Sequence, residues 1–256
     1  MPIVIKSARD LQAMRDAAKI NVEALQAMSQ AVKPGVSTAA LDKIAYDIIT
    51  RYGATPAFLG YPPGSKYPYP ATITASVNQE LVHGIPSETR HLQAGDIISL
   101  DCGTILNGFV ADSALTVPVG HVSEAVQHLL DVTEQSLHVG IKQCEAGKRF
   151  GDISAAIQQF VEAQGYNVVR EYGGHGVGRQ MHEDPHIPNW GTPGRGQRLR
   201  PGMTFALEPM VMMGGPQVKT LSDHWTVVTI DGKWCAHFEH TVAVTSNGPE
   251  ILTAWD

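Results

Sequence analysis

Cysteine is scarce. Cys102, Cys144 and Cys235 are an odd number of thiols, far apart and never in a CxxC pair. That excludes a disulfide framework and a zinc knuckle, and it suits a reducing cytoplasm. Charge is sparse as well. Charged residues make up 17% of the 256-residue chain and hydrophobic ones 43%, a composition that builds a folded core and argues against disorder. The net charge is −6 and no five like charges run together, so there is no basic footprint for nucleic acid or an anionic membrane. Long apolar runs are also missing. No uninterrupted stretch approaches the ~20 residues of a membrane span, and the apolar start ahead of Lys6 is too short for a signal peptide. These absences predict a cytoplasmic protein with no membrane partner and no nucleic-acid binding of its own.

What is present is an order of helices and strands that occurs twice. Ser7 can cap a helix carrying Leu11, Met14, Ala18, Val22, Leu25 and Met28, and the Lys-Pro-Gly run 33–35 stops it. Thr38 opens a second helix with Leu41, Ile44 and Ile48 on one face and Gly53 closing it. YPPGSKYPYP (61–70) reads as loop, and ITASVN and GDIISLDCG as strands. In the second half, Ser123 opens a helix through Leu129, Leu130, Leu137 and Ile141. GKRFGDISAAIQQFVEAQG (147–165) then matches GVSTAALDKIAYDIITRYG (35–53), and PGMTFALE (201–208) matches AGDIISLD (94–101), which sets Glu208 opposite Asp101. This repetition predicts one domain over 1–256, with related α/β halves roughly 1–122 and 123–256, each of two helices followed by antiparallel strands.

The stretch LDCGTILNGFVADS (100–113) reads as a β-hairpin with two acids where core strands should be apolar. Asn107-Gly108 is a strong two-residue turn signal, because both residues tolerate positive φ. A turn centred there pairs Asp101 with Ala114 and puts Asp112 on the same face. Taken alone, two such acids fit a solvated face, but Leu100, Val110, Ala114 and Leu115 around them predict burial. Glu208 in FALEP and Glu239 in HFEH are further acids in apolar β-runs. Each desolvated carboxylate costs several kcal/mol, so four together call for a shared positive partner. Divalent metal ions are the natural one, since they take oxygen ligands. His175, among glycines in EYGGHGVGR, completes a five-donor set whose four carboxylates balance the charge of two divalent cations.

The motifs DCG, ADS, GGHGVGR, MHEDP, FALEP and FEHTVAV, with VHGIP upstream, closely resemble type I methionine aminopeptidase, in that family's order and over nearly the whole chain. The resemblance implies an α+β pita-bread fold, with pseudo-twofold-related α/β halves, an antiparallel sheet and flanking helices. It implies that Asp112 and Glu239 bridge two metal ions, that Asp101 holds one, and that His175 and Glu208 hold the other. Such a pair lowers the pKa of a water and polarises a carbonyl. By the same resemblance Glu208 is the general base, His182 contacts the substrate carbonyl and His83 the scissile amide nitrogen. Phe58, Tyr61, Met181 and Trp225 would surround the methionine side chain, with Thr74 at the margin. Phe58 and Thr74 stand where bacterial relatives often carry cysteine, and the 61–72 loop is longer than usual, so the pocket rim departs from the family pattern.

The implied activity is hydrolytic removal of the initiator methionine from nascent polypeptides with a small second residue. Met1-Pro2 makes this chain a candidate substrate of its own activity. Cobalt, manganese, iron or zinc would suit the donors, an additional monovalent cation is compatible with the family, and the expected form is a monomer in transient contact with the ribosome. Two alternatives compete. A proline-directed aminopeptidase or prolidase of the same fold usually carries a further N-terminal domain and reads EPG where Glu208-Pro209-Met210 stands here. A non-catalytic binding protein on the fold would have lost ligands, yet all five candidates and both histidines are present.

Overall fold

The computed structural model describes residues 3–255, and the Met1-Pro2 start lies outside them. Helices α1 (Ala8–Ala31) and α2 (Thr38–Arg51) come first, followed by strands β1 (Thr55–Pro56), β2 (Ile73–Val77) and β3 (Glu80–Val82). A long hairpin of β4 (Ile97–Leu106) and β5 (Phe109–Pro118) leads into α3 (Glu124–Ile141) and α4 (Phe150–Ala163). Six short strands follow: β6 (Asn167–Val168), β7 (Gly173–Gly176), β8 (Glu183–Pro188), β9 (Thr204–Leu207), β10 (Met210–Met212) and β11 (Val218–Thr220). The chain ends with β12 (Val227–Thr229), β13 (Cys235–His237), β14 (Glu239–Thr245) and β15 (Gly248–Ile251).

Capping chemistry sets where the helices begin. The Ser7 hydroxyl accepts from the Asp10 amide at 3.2 Å while the Asp10 carboxylate accepts from the Ser7 amide at 3.0 Å, closing a capping box on α1. The Ser37 hydroxyl accepts from the Ala40 amide to cap α2, and the Ser123 hydroxyl from the Val126 amide to cap α3, without the reciprocal carboxylate bond. The buried stripe of α2 is Leu41, Ala45 and Ile49, one residue round from the face expected of Ile44 and Ile48, which are half-buried at its edge. On α1, Met14, Ala18, Leu25 and Met28 are buried as their spacing predicts, whereas Leu11 and Val22 flank the stripe.

The main sheet has nine strands, in the order β1-β4-β5-β14-β9-β7-β8, with β2 also on β4 and β15 on β14. Two three-stranded sheets, β13-β10-β6 and β11-β12-β3, lie beside it. α1 packs on β4 and β5, α3 touches β5, β9 and β14, and α2 and α4 pack against α1 and α3 respectively. Strand alternation divides the sheet into two faces. Ile98, Leu100, Phe205, Leu207 and Val242 point to the helices and join Met28, Leu41, Leu129 and Ile153 in one core. Their neighbours Asp101, Ala206 and Glu239 therefore point the other way.

At the hairpin end Asn107 and Gly108 adopt φ of 52° and 75°, the left-handed values that a two-residue turn matched to strand twist requires. Asp101 pairs with Ala114 and Gly103 with Asp112, the expected register.

Candidate metal centre and substrate pocket

Two neighbouring rows across the sheet assemble four of the five predicted donors. Thr74 of β2 pairs with Asp101 of β4, Asp101 with Ala114 of β5, and Ala114 with Glu239 of β14. In the next row, Gly103 pairs with Asp112, Thr241 of β14 pairs with Ala206 of β9, and Ala206 with His175 of β7. Thr241 links the halves of that row, because its hydroxyl accepts from the Asp112 amide at 3.1 Å and donates to the Asp112 carbonyl at 2.8 Å. Residues two apart on a strand share a face, so both rows look into the same space. Among their non-ligating members, Gly103, Ala114 and Ala206 are small and leave that space open.

Glu208 arrives differently from the expectation of a strand residue. β9 ends at Leu207 and β10 begins at Met210 in another sheet, so Glu208 and Pro209 form the step between sheets. Pro209 has no N–H for a ladder, which ends pairing there and frees the Glu208 side chain to turn into the site. His175 is set by close backbone packing. A Cβ on Gly174 would collide with the Ala206 carbonyl, and one on Gly176 with the Asp184 carbonyl, so only glycines let β7 lie this near its neighbours.

Asp112, His175 and Glu239 offer donor atoms all within 4.8 Å of one another. His175 Nε2 is 3.7 Å from Asp112 Oδ2 and 3.6 Å from Glu208 Oε1. Asp101 Oδ1, Asp112 Oδ1 and Glu239 Oε1 are buried without a hydrogen-bond partner. Burial pushes Asp101 up to about 7 and, aided by the neighbouring carboxylates, raises Asp112, Glu208 and Glu239 well above the usual range. Burial pushes His175 down to about 3, leaving a neutral imidazole free to ligate. Orphaned oxygens, mutual repulsion and a neutral nitrogen are what a divalent cation would satisfy. The donors fit a metal.

The pocket above this floor collects every other predicted residue: Phe58, Tyr61, Thr74, His83, Met181, His182 and Trp225 all line it. His83 follows β3 with φ of 61°, and its ring meets Trp225 edge-on at 5.9 Å. Burial lowers its pKa to about 4, so its imidazole is neutral at pH 7. His182 sits at the mouth with its ring centre 4.2 Å from that of His175, and its Nδ1 is 2.7 Å from the Tyr61 hydroxyl. Trp225 is anchored by its indole N–H donating to the Tyr67 carbonyl at 3.2 Å, which joins it to the 61–70 loop.

Tyr69 is a further wall of the pocket. It is buried, lines the pocket and meets Trp225 edge-on at 5.1 Å and Phe58 at 6.5 Å. Its hydroxyl lies 2.9 Å from the carbonyls of Ile73 and Gly84, a pinned position that nothing in the Tyr-Pro alternation of the loop foretells. His237, outside the five-donor set, is buried beside Glu208 and Glu239. His91, His121, His128 and His138 are exposed. His240 faces away from Glu239 toward Thr253, whose hydroxyl is 3.1 Å from its Nδ1.

Residues 12–246 match metallopeptidase family M24. The chain belongs to that family. A methionine aminopeptidase from Clostridium acetobutylicum is 51% identical over 251 residues, 98% of each chain. The crystal structure of methionine aminopeptidase from Thermotoga maritima superposes with a TM-score of 0.95 at 43% identity, over 99% of this chain and 100% of that one. The Xaa-Pro dipeptidase of Bacillus anthracis superposes with a TM-score of 0.77 at 23% identity, and this chain spans 62% of its length. That likeness is one of fold alone. The shared architecture is the α+β pita-bread fold, and membership of a metallopeptidase family agrees with the donor set in implying a divalent metal. No described helix is long and apolar enough to cross a membrane.

Proposed function

We propose that the protein hydrolytically releases the N-terminal methionine of polypeptides whose second residue is small. The observation that carries this reading is the union, in one pocket, of the five candidate donors, two histidines and the apolar side chains of Phe58, Tyr69, Met181 and Trp225. Asp101, Asp112, His175, Glu208 and Glu239 would hold two divalent ions. Manganese, iron, cobalt and zinc all suit oxygen-rich ligation with one imidazole. When bound, such ions supply Lewis-acid polarisation of the scissile carbonyl and a water acidic enough to attack near neutrality.

The chain's own residues do the rest. Phe58, Tyr69, Met181 and Trp225 take the methionine side chain and exclude water. Glu208 receives the proton of the attacking water, His182 donates toward the substrate carbonyl, and His83 faces the scissile nitrogen and supports the leaving amine. Tyr61 holds His182 from behind. A free amine at the end of the substrate would be a further nitrogen donor for an ion held at the floor, which favours cleavage from the end of a chain. The substrates of this reading are nascent chains in the cytoplasm, met by a monomeric, single-domain enzyme in transient contact with the ribosome. The two helix pairs α1–α2 and α3–α4, each preceding antiparallel strands, support related halves near 1–122 and 123–256.

The deciding experiment sets Met-Ala-Ser against Ala-Pro-X peptides with metal-reconstituted protein. Release of methionine from the first and no cleavage of the second is the expected result. The reverse preference would replace this reading with a proline-directed one. Tight substrate binding with no product would indicate a non-catalytic protein.

A further inference from the structure

His237 ends β13, two residues before Glu239. It is 2% exposed and its Nε2 has no hydrogen-bond partner. That nitrogen is 3.8 Å from Glu208 Oε2 and 3.9 Å from Glu239 Oε2. The other Glu208 oxygen, Oε1, is the one 3.6 Å from His175 Nε2. One carboxylate thus lies between two imidazoles, one of them in the predicted donor set and the other outside it.

The backbone keeps His237 in this place. Its amide donates to the Thr116 hydroxyl at 2.9 Å, its carbonyl accepts from that hydroxyl at 2.7 Å, and it pairs with Met210 across β10. A leucine could fill a buried site of this kind without leaving a polar atom unpaired. A buried nitrogen without a partner is costly unless something uses it. The tautomer follows from the neighbours. A bare Nε2 would set its lone pair against those of two carboxylate oxygens, whereas Nε2–H points a donor at both. At the distances seen here the contact falls short of a hydrogen bond, and a movement of about 1 Å by either carboxylate completes it.

We propose that His237 is a positioning residue of the metal centre, whose Nε2–H orients the Glu208 and Glu239 carboxylates by donating to Glu208 Oε2, the oxygen turned away from His175, and to Glu239 Oε2. The proposal rests on the metal reading given above and not on the choice of peptide. A donor behind a ligating carboxylate fixes which oxygen meets the ion. Loss of such partners typically weakens metal binding by about 10- to 100-fold.

Two measurements test it without peptide hydrolysis. Mn²⁺ is titrated calorimetrically into metal-free wild-type protein and the His237→Leu and His237→Gln variants. The wild-type protein is also ¹⁵N-labelled at histidine, and NMR identifies the protonated ring nitrogen of His237. Expected are a loss of at least about tenfold in Mn²⁺ affinity for His237→Leu, near wild-type affinity for His237→Gln, whose amide can still donate, and a proton on Nε2. Wild-type affinity in a folded His237→Leu protein, or a proton on Nδ1 alone, would overturn the proposal. So would equal losses in both variants, since His237 would then be a ligand itself. If His237→Leu fails to fold, the Gln variant and the tautomer decide. Wild-type protein that bound no Mn²⁺ would sink the metal reading, whereas failure to cleave Met-Ala-Ser would sink only the substrate.

Discussion

The Tyr61 hydroxyl lies 2.7 Å from Nδ1 of His182, on the side of the ring away from any hydrogen bond to substrate through Nε2. A phenol O–H donating to Nδ1 leaves the proton of a neutral imidazole on Nε2. On the function proposed above, Tyr61 does more than wall the pocket: by donating to Nδ1 it would hold the tautomer in which His182 is a donor. Removing that hydroxyl by Tyr61→Phe should lower kcat for Met-Ala-Ser by about tenfold with little change in KM. His182→Ala should lose ~10²-fold, the scale of a lost oxyanion donor. In the His182→Ala background, Tyr61→Phe should cost nothing further. Additive losses in the double variant would show that Tyr61 acts through packing alone.

Asp112 holds the middle of the donor set, with one oxygen 3.7 Å from His175 Nε2 and the other unpartnered. Asp112→Asn replaces an anionic oxygen by an amide and should abolish metal retention and activity together. Elemental analysis after dialysis provides the check. Two metal ions retained per chain would contradict a role between the ions.

Metal affinity should depend on pH with a definite sign. Burial raises Asp101 to about 7 and the other three carboxylates well above their usual range, so the empty site holds protons at pH 6. An incoming cation must expel them, so apparent affinity rises as pH increases from ~6 to ~8. His175, lowered to about 3, is neutral throughout and releases no proton. Titrations at pH 6 in buffers of different ionisation heat should count at least one proton released per ion bound. An affinity flat across this range would mean that the carboxylates are already ionised in the empty protein.

The donors were legible because each acid interrupts an apolar run and because Asn107-Gly108 dictates the hairpin register. What sequence could not carry was the order of strands: nothing local states that β14 lies between β5 and β9, and that adjacency brings Glu239 to Asp112. Glu208 was read as a strand residue because FALEP is apolar, whereas Pro209 ends the ladder one residue beyond it. His237 had a usable signal. Residues two apart on an extended chain share a face, so the reasoning that turns His240 away from Glu239 turns His237 toward it. Tyr69 had none, because loop side chains obey no period. Asn21 was visible as a polar residue on the apolar stripe of α1, between Ala18 and Leu25, but its partners lie on distant strands.

Those partners make Asn21 the last point of attack. It is fully buried, and its amide donates to the carbonyl of Cys102, with longer contacts of 3.4 Å to Thr104 Oγ1 and the Ala111 carbonyl. Its oxygen accepts from the Ser113 hydroxyl. One side chain thus ties α1 to both strands of the hairpin, on the face opposite Asp101 and Asp112. Asn21→Ala removes these bonds and strands a buried hydroxyl, at a cost of about 2–3 kcal/mol. In a chain of this length that lowers Tm by roughly 4–12 °C. Because the lost contacts lie behind the site, kcat below the transition should stay within about twofold of wild type, the range of a small surface-type perturbation. Calorimetric melting of the metal-free protein and kinetics at 25 °C check the two halves of this expectation. A variant that melts with the wild type would show that the hairpin needs only its own ladder to hold the two aspartates in register.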